Sequence, residues 1–147
     1  MEEKKEGEIR TDFLGRSVIL TPSRASRPHD FIPQLPEKKQ DPSKCFFCPG
    51  NEHLTPPEIG RTASASGGWQ TRVFNNKFPA VNKEWHDAYG IHEVIVETPE
   101  HKLTLSQLSD SQLAQYLLMA GKRIRAHEKN KTLAYSSVFK NEWKDAG

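Results

Sequence analysis

The amino-acid sequence predicts an α+β fold with an antiparallel sheet and one main helix. Several short β-rich stretches surround a single segment with clear helical periodicity, and no βαβ rhythm of a parallel sheet runs through the chain. Eight of the ten prolines fall between Pro22 and Pro57. That third of the chain is therefore extended and loop-rich, since proline is excluded from helix interiors and central strands. Something must hold such a segment down.

The elements follow in order. Ser17 to Leu20 (SVIL) reads as a first strand after a turn at Asp12–Gly15. After Gly67-Gly68 the texture changes, and Trp69 to Phe74 (WQTRVF) alternates like a short strand. Ile91 to Glu97 (IHEVIVE) is β-rich but imperfectly alternating. Ser109 with Gln112 three residues later makes a capping box. Leu113, Tyr116, Leu117, Ala120 and Ile124 then recur at helical spacing, with Lys122, Arg123 and Arg125 late, where the helix dipole favours cations. This predicts a helix over 109–128. Leu133 to Phe139 (LAYSSVF) reads as a last strand, and NEWKDAG after it reads as the start of a loop that the sequence leaves interrupted.

Composition narrows the function classes. The 147 residues fit one domain, long enough to bury a core without disulfides. Lys and Arg number 21 against 19 Asp and Glu, a net charge of +2. That balance provides neither a basic face for nucleic acid nor a polybasic membrane patch. No apolar run reaches spanning length, and the charged start MEEKKEGEIR lacks the apolar stretch of a secretory signal. A soluble, cytoplasmic protein is the expectation.

The sharpest local signal is CFFCPGN at 45–51. A redox pair needs a helix continuing from its first cysteine, and Pro49-Gly50 stops one. A metal knuckle needs a tight turn after the pair, for which Pro-Gly-Asn is suited. Two buried thiols acting as small hydrophobes are the intermediate reading. A structural zinc wants four ligands, and Cys45 and Cys48 give two. Among the six histidines, His101 follows a strand and Pro99 in a loop before the helix. His92 lies within a strand and His127 at a helix end, both compatible with a purely structural role. Arg24 and Arg27, in SRASRPHD, present planar forks that could clamp a diphosphate. A solvated charged loop is the competing reading, and on these residues alone the stronger one. No nucleophile with a base beside it stands out, and there is no glycine-rich phosphate cradle.

Taken together, these motifs resemble the N-terminal half of galactose-1-phosphate uridylyltransferases. The pattern comprises Arg10-Thr11-Asp12 with Gly15-Arg16, then PSRASRP (22–28), CFFCPGNE (45–52), TPPE (55–58), RVFNNKFPA (72–80), HEVIVETPEH (92–101) and VFKN (138–141). Each motif is weak alone, and their order and spacing are specific. The resemblance implies the histidine-triad superfamily: an open antiparallel sheet with one main helix and a proline-rich segment held by zinc. It implies nucleotidyl exchange between UDP-glucose and galactose 1-phosphate through a covalent uridylyl-histidine.

Carried over residue by residue, the resemblance makes Cys45, Cys48 and His101 three zinc ligands. Arg24 and Arg27 match the pair near the phosphates, and Leu54 and Phe74 match apolar contacts to the base. Asn76 and Asn141 match polar contacts to ribose or phosphate, and Gly147 the glycine of a loop passing the phosphates. Lys77 stands where well-known bacterial members carry an acidic residue. In the family a His-x-His-x-Gln segment follows shortly after the glycine matching Gly147. It supplies the fourth ligand, the nucleophile and a phosphoryl-binding glutamine.

The expectation is therefore that residues 1–147 form the N-terminal domain of a hexose-1-phosphate uridylyltransferase, ending just before that motif. No catalytic residue is assigned, and the chain alone is expected to be inactive in transfer. Its partners would be UDP-glucose and a hexose 1-phosphate, with no nucleic acid and no membrane; full-length relatives are homodimeric. Adenylyl transfer from ADP-sugars is a close alternative. A non-catalytic zinc- and nucleotide-binding module is another, with His92, His53 or water completing the metal site. A nucleic-acid-binding zinc ribbon would need a second CxxC and a basic face, and neither is present.

Overall fold

A computed structural model describes residues 6–22, 41–65 and 67–141. It is a mixed α+β structure with two small sheets and one main helix. The expectation of one open sheet is corrected accordingly: a two-stranded sheet joins β1 (Glu8–Thr11) to β2 (Ser17–Leu20), and a separate sheet has the order β3 (Glu58–Ala63), β4 (Trp69–Asn75), β5 (Glu93–Val96). The chain divides into two compact units, one of Met1–His29 with Asn75–Val94, the other of Asp30–Phe74 with Ile95–Gly147.

In the first unit, Asp12 builds the turn that the sequence marks. Its Oδ1 accepts from the amides of Leu14 and Arg16, and Gly15 takes φ 78°. The antiparallel register then sets Ile9 opposite Ile19 and Thr11 opposite Ser17. A two-stranded ribbon is marginal by itself. Here the Ile9 amide donates to the Asp87 carbonyl, and Gly7 is pressed against the Trp85 ring.

In the second unit, the proline-rich chain forms single 3-10 turns at Pro42–Lys44 and Glu52–Leu54, as its composition requires. Strand β4 is buried along Trp69–Phe74 on both faces, where one-sided alternation was expected. Its central place in the sheet explains this, since a strand flanked by β3 and β5 can be covered above and below. The β3–β4 register slips between Glu58 and Gly60 and again between Thr62 and Ala63. Each slip adds an unpaired residue and re-aims the side chains beyond it.

The helix α1 spans Asp110–His127. Ser109 Oγ accepts from the Gln112 amide, while the Gln112 side chain accepts from the Ser109 amide, so the capping box is formed. The buried face is Tyr116, Met119 and Ala120. Leu117, expected on that face, is 57% exposed; Met119 takes its place. Thr62 on β3 hydrogen-bonds Gln115 on the helix at 3.1 Å.

The expected strand at 133–139 is absent. The backbone there is irregular and unpaired, with Tyr135, Val138 and Phe139 exposed. Its β-rich composition meets no partner strand among the described residues, and β-propensity is a preference for a packed, pleated surface rather than a property of the backbone alone. Lys140 does pair with Glu97, just past β5, at 2.6 Å. No helix among the described residues is long and apolar enough to cross a membrane.

Candidate metal centre

The CFFCPGN segment folds into successive turns. The Cys48 amide donates to the Cys45 carbonyl, the Asn51 amide to the Cys48 carbonyl, and Gly50 reaches φ 90°. Gly50 is thus required by a left-handed backbone that side chains disfavour. The two thiols end up facing the same side, and His101 reaches them from the loop between β5 and α1. Its Nδ1 lies 3.0 Å from Cys48 Sγ. The donor atoms of Cys45, Cys48 and His101 all lie within 4.8 Å of one another.

The donor set fits zinc. Tetrahedral Zn–S bonds of about 2.3 Å and Zn–N bonds of about 2.0–2.1 Å place such donors roughly 3.5–3.8 Å apart. Burial, together with the Cys45 thiol beside it, pushes the Cys48 thiol up to about 11. Without a cation the Cys48 thiol therefore stays protonated, and a bound metal would displace its proton. Of the candidates for a further ligand, His92 belongs to a different arrangement. Its Nδ1 accepts from the Ala80 amide at 2.9 Å and its Nε2 lies 3.1 Å from Asn76 Nδ2. His53 is exposed on the 3-10 turn and does not join the cluster.

The same unit holds residues that sequence reasoning missed. Arg72 is a fully buried cation on β4. Its Nε donates to Glu58 at 2.8 Å and its Nη2 to Thr55 Oγ1 at 3.0 Å, while its guanidinium lies over the Trp69 and Phe74 rings. Burial would raise the Glu58 pKa, but hydrogen bonds and charge from Arg61 and Arg72 outweigh it and hold the carboxyl below its ordinary value. Glu52 ties the knuckle to β4, accepting from the Gly50 amide and from Trp69 Nε1, each at 2.8 Å. The alternation in WQTRVF signals a strand, but no local signal says that its arginine points inward.

The expected nucleotide contacts are distributed as follows. Phe74 is buried at the end of β4, its ring 6.2 Å from Phe47 of the knuckle at an interplanar angle of 23°. Leu54 is half-buried on the 3-10 turn that follows the knuckle, and Asn141 is exposed. Asn76 lies in the other unit, where it lines a cavity of about 260 Å³ with His92, Asn75, Asn82 and Lys83. Its Oδ1 accepts from the Phe78 amide and its own amide donates to the His92 carbonyl, so the NNKFPA loop is tightly turned. Arg24, Arg27 and Gly147 lie outside the described residues.

No protein-family model matches the chain. It is 32% identical to ADP-glucose phosphorylase of Arabidopsis thaliana across 99% of its own length and 46% of that protein's. It is 30% identical to galactose-1-phosphate uridylyltransferase of Cryptococcus neoformans across 79% of this chain and 34% of that protein. The crystal structure of the Arabidopsis ADP-glucose phosphorylase with bound ADP-glucose is similar at a TM-score of 0.65 and 31% identity, covering 96% of this chain and 44% of that one. A GalT-like protein from the same plant is similar at a TM-score of 0.57 and 28% identity, covering 62% of this chain and 32% of that one. The chain thus spans less than half the length of the curated relatives it matches. Over that span the motifs, the sequence similarity and the fold agree, and the chain's homologues and structural neighbours are of the galactose-1-phosphate uridylyltransferase type.

Proposed function

We propose that residues 1–147 are the N-terminal, nucleotide-binding domain of a sugar-nucleotide transferase built on a zinc-held, histidine-triad-like fold. The observation that carries this reading is the convergence of Cys45, Cys48 and His101 from segments 53 positions apart. That is the ligand trio which the resemblance to the family implies. When bound, zinc supplies a structural crosslink between the proline-rich segment and the loop before α1.

The remaining roles are binding roles. Arg24 and Arg27 clamp the phosphates of a nucleoside-diphosphate sugar through charge-assisted hydrogen bonds. Leu54 and Phe74 provide apolar contact toward the base, and Asn76, Asn141 and Gly147 contact ribose or phosphate. These residues hold the α-phosphorus for in-line attack by a histidine of the His-x-His-x-Gln segment. That attack expels the sugar phosphate and leaves the nucleotidyl group on the histidine. A second phosphate acceptor then takes it, releasing the imidazole. The chain's own residues orient and neutralise the diphosphate and supply no nucleophile.

Two base specificities fit. Uridylyl exchange between UDP-glucose and a hexose 1-phosphate is the reaction the family resemblance implies. Adenylyl transfer from an ADP-sugar is favoured by one observation: the similarity to ADP-glucose phosphorylase extends over 99% of the chain, against 79% for the uridylyltransferase. Calorimetric titration with UDP-glucose and with ADP-glucose tests both. The expected result is saturable binding of one of them, weakened about tenfold or more by Arg24→Ala/Arg27→Ala, since each lost charge-assisted bond costs about 1.5–3 kcal/mol. Binding of neither, or equal affinity in the double variant, would overturn the reading.

A further inference from the structure

Asn51 follows the second cysteine by three residues, and its side chain turns back over the segment that precedes the first. Its Nδ2 donates to the carbonyls of Pro42 at 3.1 Å, Ser43 at 3.1 Å and Cys45 at 2.8 Å. An amide nitrogen has two hydrogens, so three acceptors at these distances require at least one to be shared. Two of those carbonyls already close turns: Pro42 accepts from the Cys45 amide and Cys45 from the Cys48 amide. One half-buried side chain therefore staples both turns that aim the two thiols. The backbone does not itself demand asparagine here, because Asn51 sits at φ −105°, open to any residue.

We propose that Asn51 is a positioning residue of the metal centre, holding Cys45 and Cys48 at ligand spacing before the ion arrives. It rests on the reading of Cys45, Cys48 and His101 as a metal site. The side chain touches no ligand sulfur; it fixes the peptide that carries Cys45 by its carbonyl, and the peptides two and three residues earlier. Its energetic role is preorganisation. A knuckle that must be ordered at the moment of binding loses affinity by the cost of that ordering, and loss of a partner that orients a ligand typically weakens a metal site about 10- to 100-fold.

Asn51→Asp separates this role from two others. The aspartate has the same shape and equal preference for turns, but it offers oxygens where three carbonyls need donors. Its negative charge would, by Coulomb attraction alone, tighten the hold on a divalent cation. Positioning and charge thus predict opposite signs. The experiment is competition for Zn(II) between the whole chain and a chromophoric chelator, run on wild type, Asn51→Asp and Asn51→Ser. Unfolding midpoints are recorded with zinc and with excess chelator.

The expected result is zinc affinity reduced about 10- to 100-fold in Asn51→Asp, with a lesser loss in Asn51→Ser, which keeps one short donor. Both variants should lose more thermal stability in the zinc-loaded state than in the chelated state. Equal or tighter zinc binding by Asn51→Asp would overturn the proposal, as would an equal loss of stability in both states. If the aspartate variant does not fold, the serine variant decides by the same two comparisons. A wild-type chain that binds no zinc would instead overturn the metal reading itself.

Discussion

Cys48 Sγ and His101 Nδ1 stand 3.0 Å apart, although 53 positions separate them along the chain. The contact joins a turn in the proline-rich segment to the loop that leads into α1. Among the described residues, the brace between Glu52 and Trp69 and the bond from Arg72 to Thr55 are the further polar ties from 41–57 to the strands. Removing a metal from this trio should therefore loosen that segment first. Limited proteolysis after chelation is expected to cut within 41–57 while the circular dichroism of Asp110–His127 persists. Unchanged protection of 41–57 after complete metal removal would contradict the reading.

Arg72 is a fully buried cation with one carboxylate, one hydroxyl and two ring faces for company. Its Nη1 has no partner among the described residues. Truncation to alanine removes that cation from Glu58 and opens a void beside Trp69 and Phe74. Breaking a buried pair at one end costs about 3–5 kcal/mol. Arg72→Ala is expected at the lower end of that range, because Arg61 still holds Glu58 at 2.6 Å. Arg72→Lys should recover less than half, since an ammonium cannot reproduce the fork or the stacking. Denaturant unfolding of the three proteins measures both differences.

The same carboxylate gives stability a pH dependence. Glu58 has a folded-state pKa below its ordinary value, so the stability it contributes is fully present above the unfolded pKa. It is lost as pH falls through the lower folded value. Glu58→Gln should be less stable than wild type at pH 7, and the two should converge as pH falls through the lowered folded pKa, where Glu58 is protonated in both states. A difference that stays constant through the acid titration of Glu58 would show that charge is not its source.

Gly90 is required by space rather than by backbone angle. A Cβ placed there would lie 2.6 Å from Val81 Cγ2 and 2.8 Å from Val81 Cβ, in the wall of the Asn76 cavity. Gly90→Ala is expected to cost about 1–3 kcal/mol by overpacking. Adding Val81→Ala should return only part of it, because the Cβ clash remains. A thermal melt of the single and double variants tests this, and an unshifted single variant would contradict it.

The legible parts of the fold were those with local causes. The capping box at Ser109 and Gln112 predicted the helix start, and Asp12 to Gly15 predicted the hairpin turn, because each is a hydrogen-bonding pattern within a few residues. The first strand of that hairpin, EIRT, was not legible: half its side chains are charged and only pairing with Ser17–Leu20 makes it a strand. EIGRTA was hidden in the same way, behind two prolines and a mid-strand glycine. LAYSSVF had the composition of a strand without the partner. Leu117 and Met119 exchanged places because a periodicity of 3.6 leaves the edge of a stripe undecided until a neighbour covers it.

In the candidate site, Cys45 and Cys48 were visible from the turn chemistry that follows them. Position alone marks His101 only as a histidine in the loop before the helix, and the family resemblance is what makes it a ligand candidate; the structure brings it to the thiols. Asn51 read as a turn residue, and Arg72 as one polar residue of an alternating strand. Their partners lie up to 17 positions away, beyond the reach of local pattern. Arg24, Arg27 and Gly147 keep the standing that the resemblance gives them.

The metal centre is best tested by metal analysis of the whole chain, purified after growth with zinc, paired with cobalt substitution. One equivalent of tightly held metal per chain is expected, with a tetrahedral cobalt spectrum showing sulfur-to-metal charge transfer. Both should be lost in Cys48→Ser and weakened in His101→Ala. A wild-type chain that holds no metal, or a cobalt spectrum unchanged by Cys48→Ser, would contradict the metal reading.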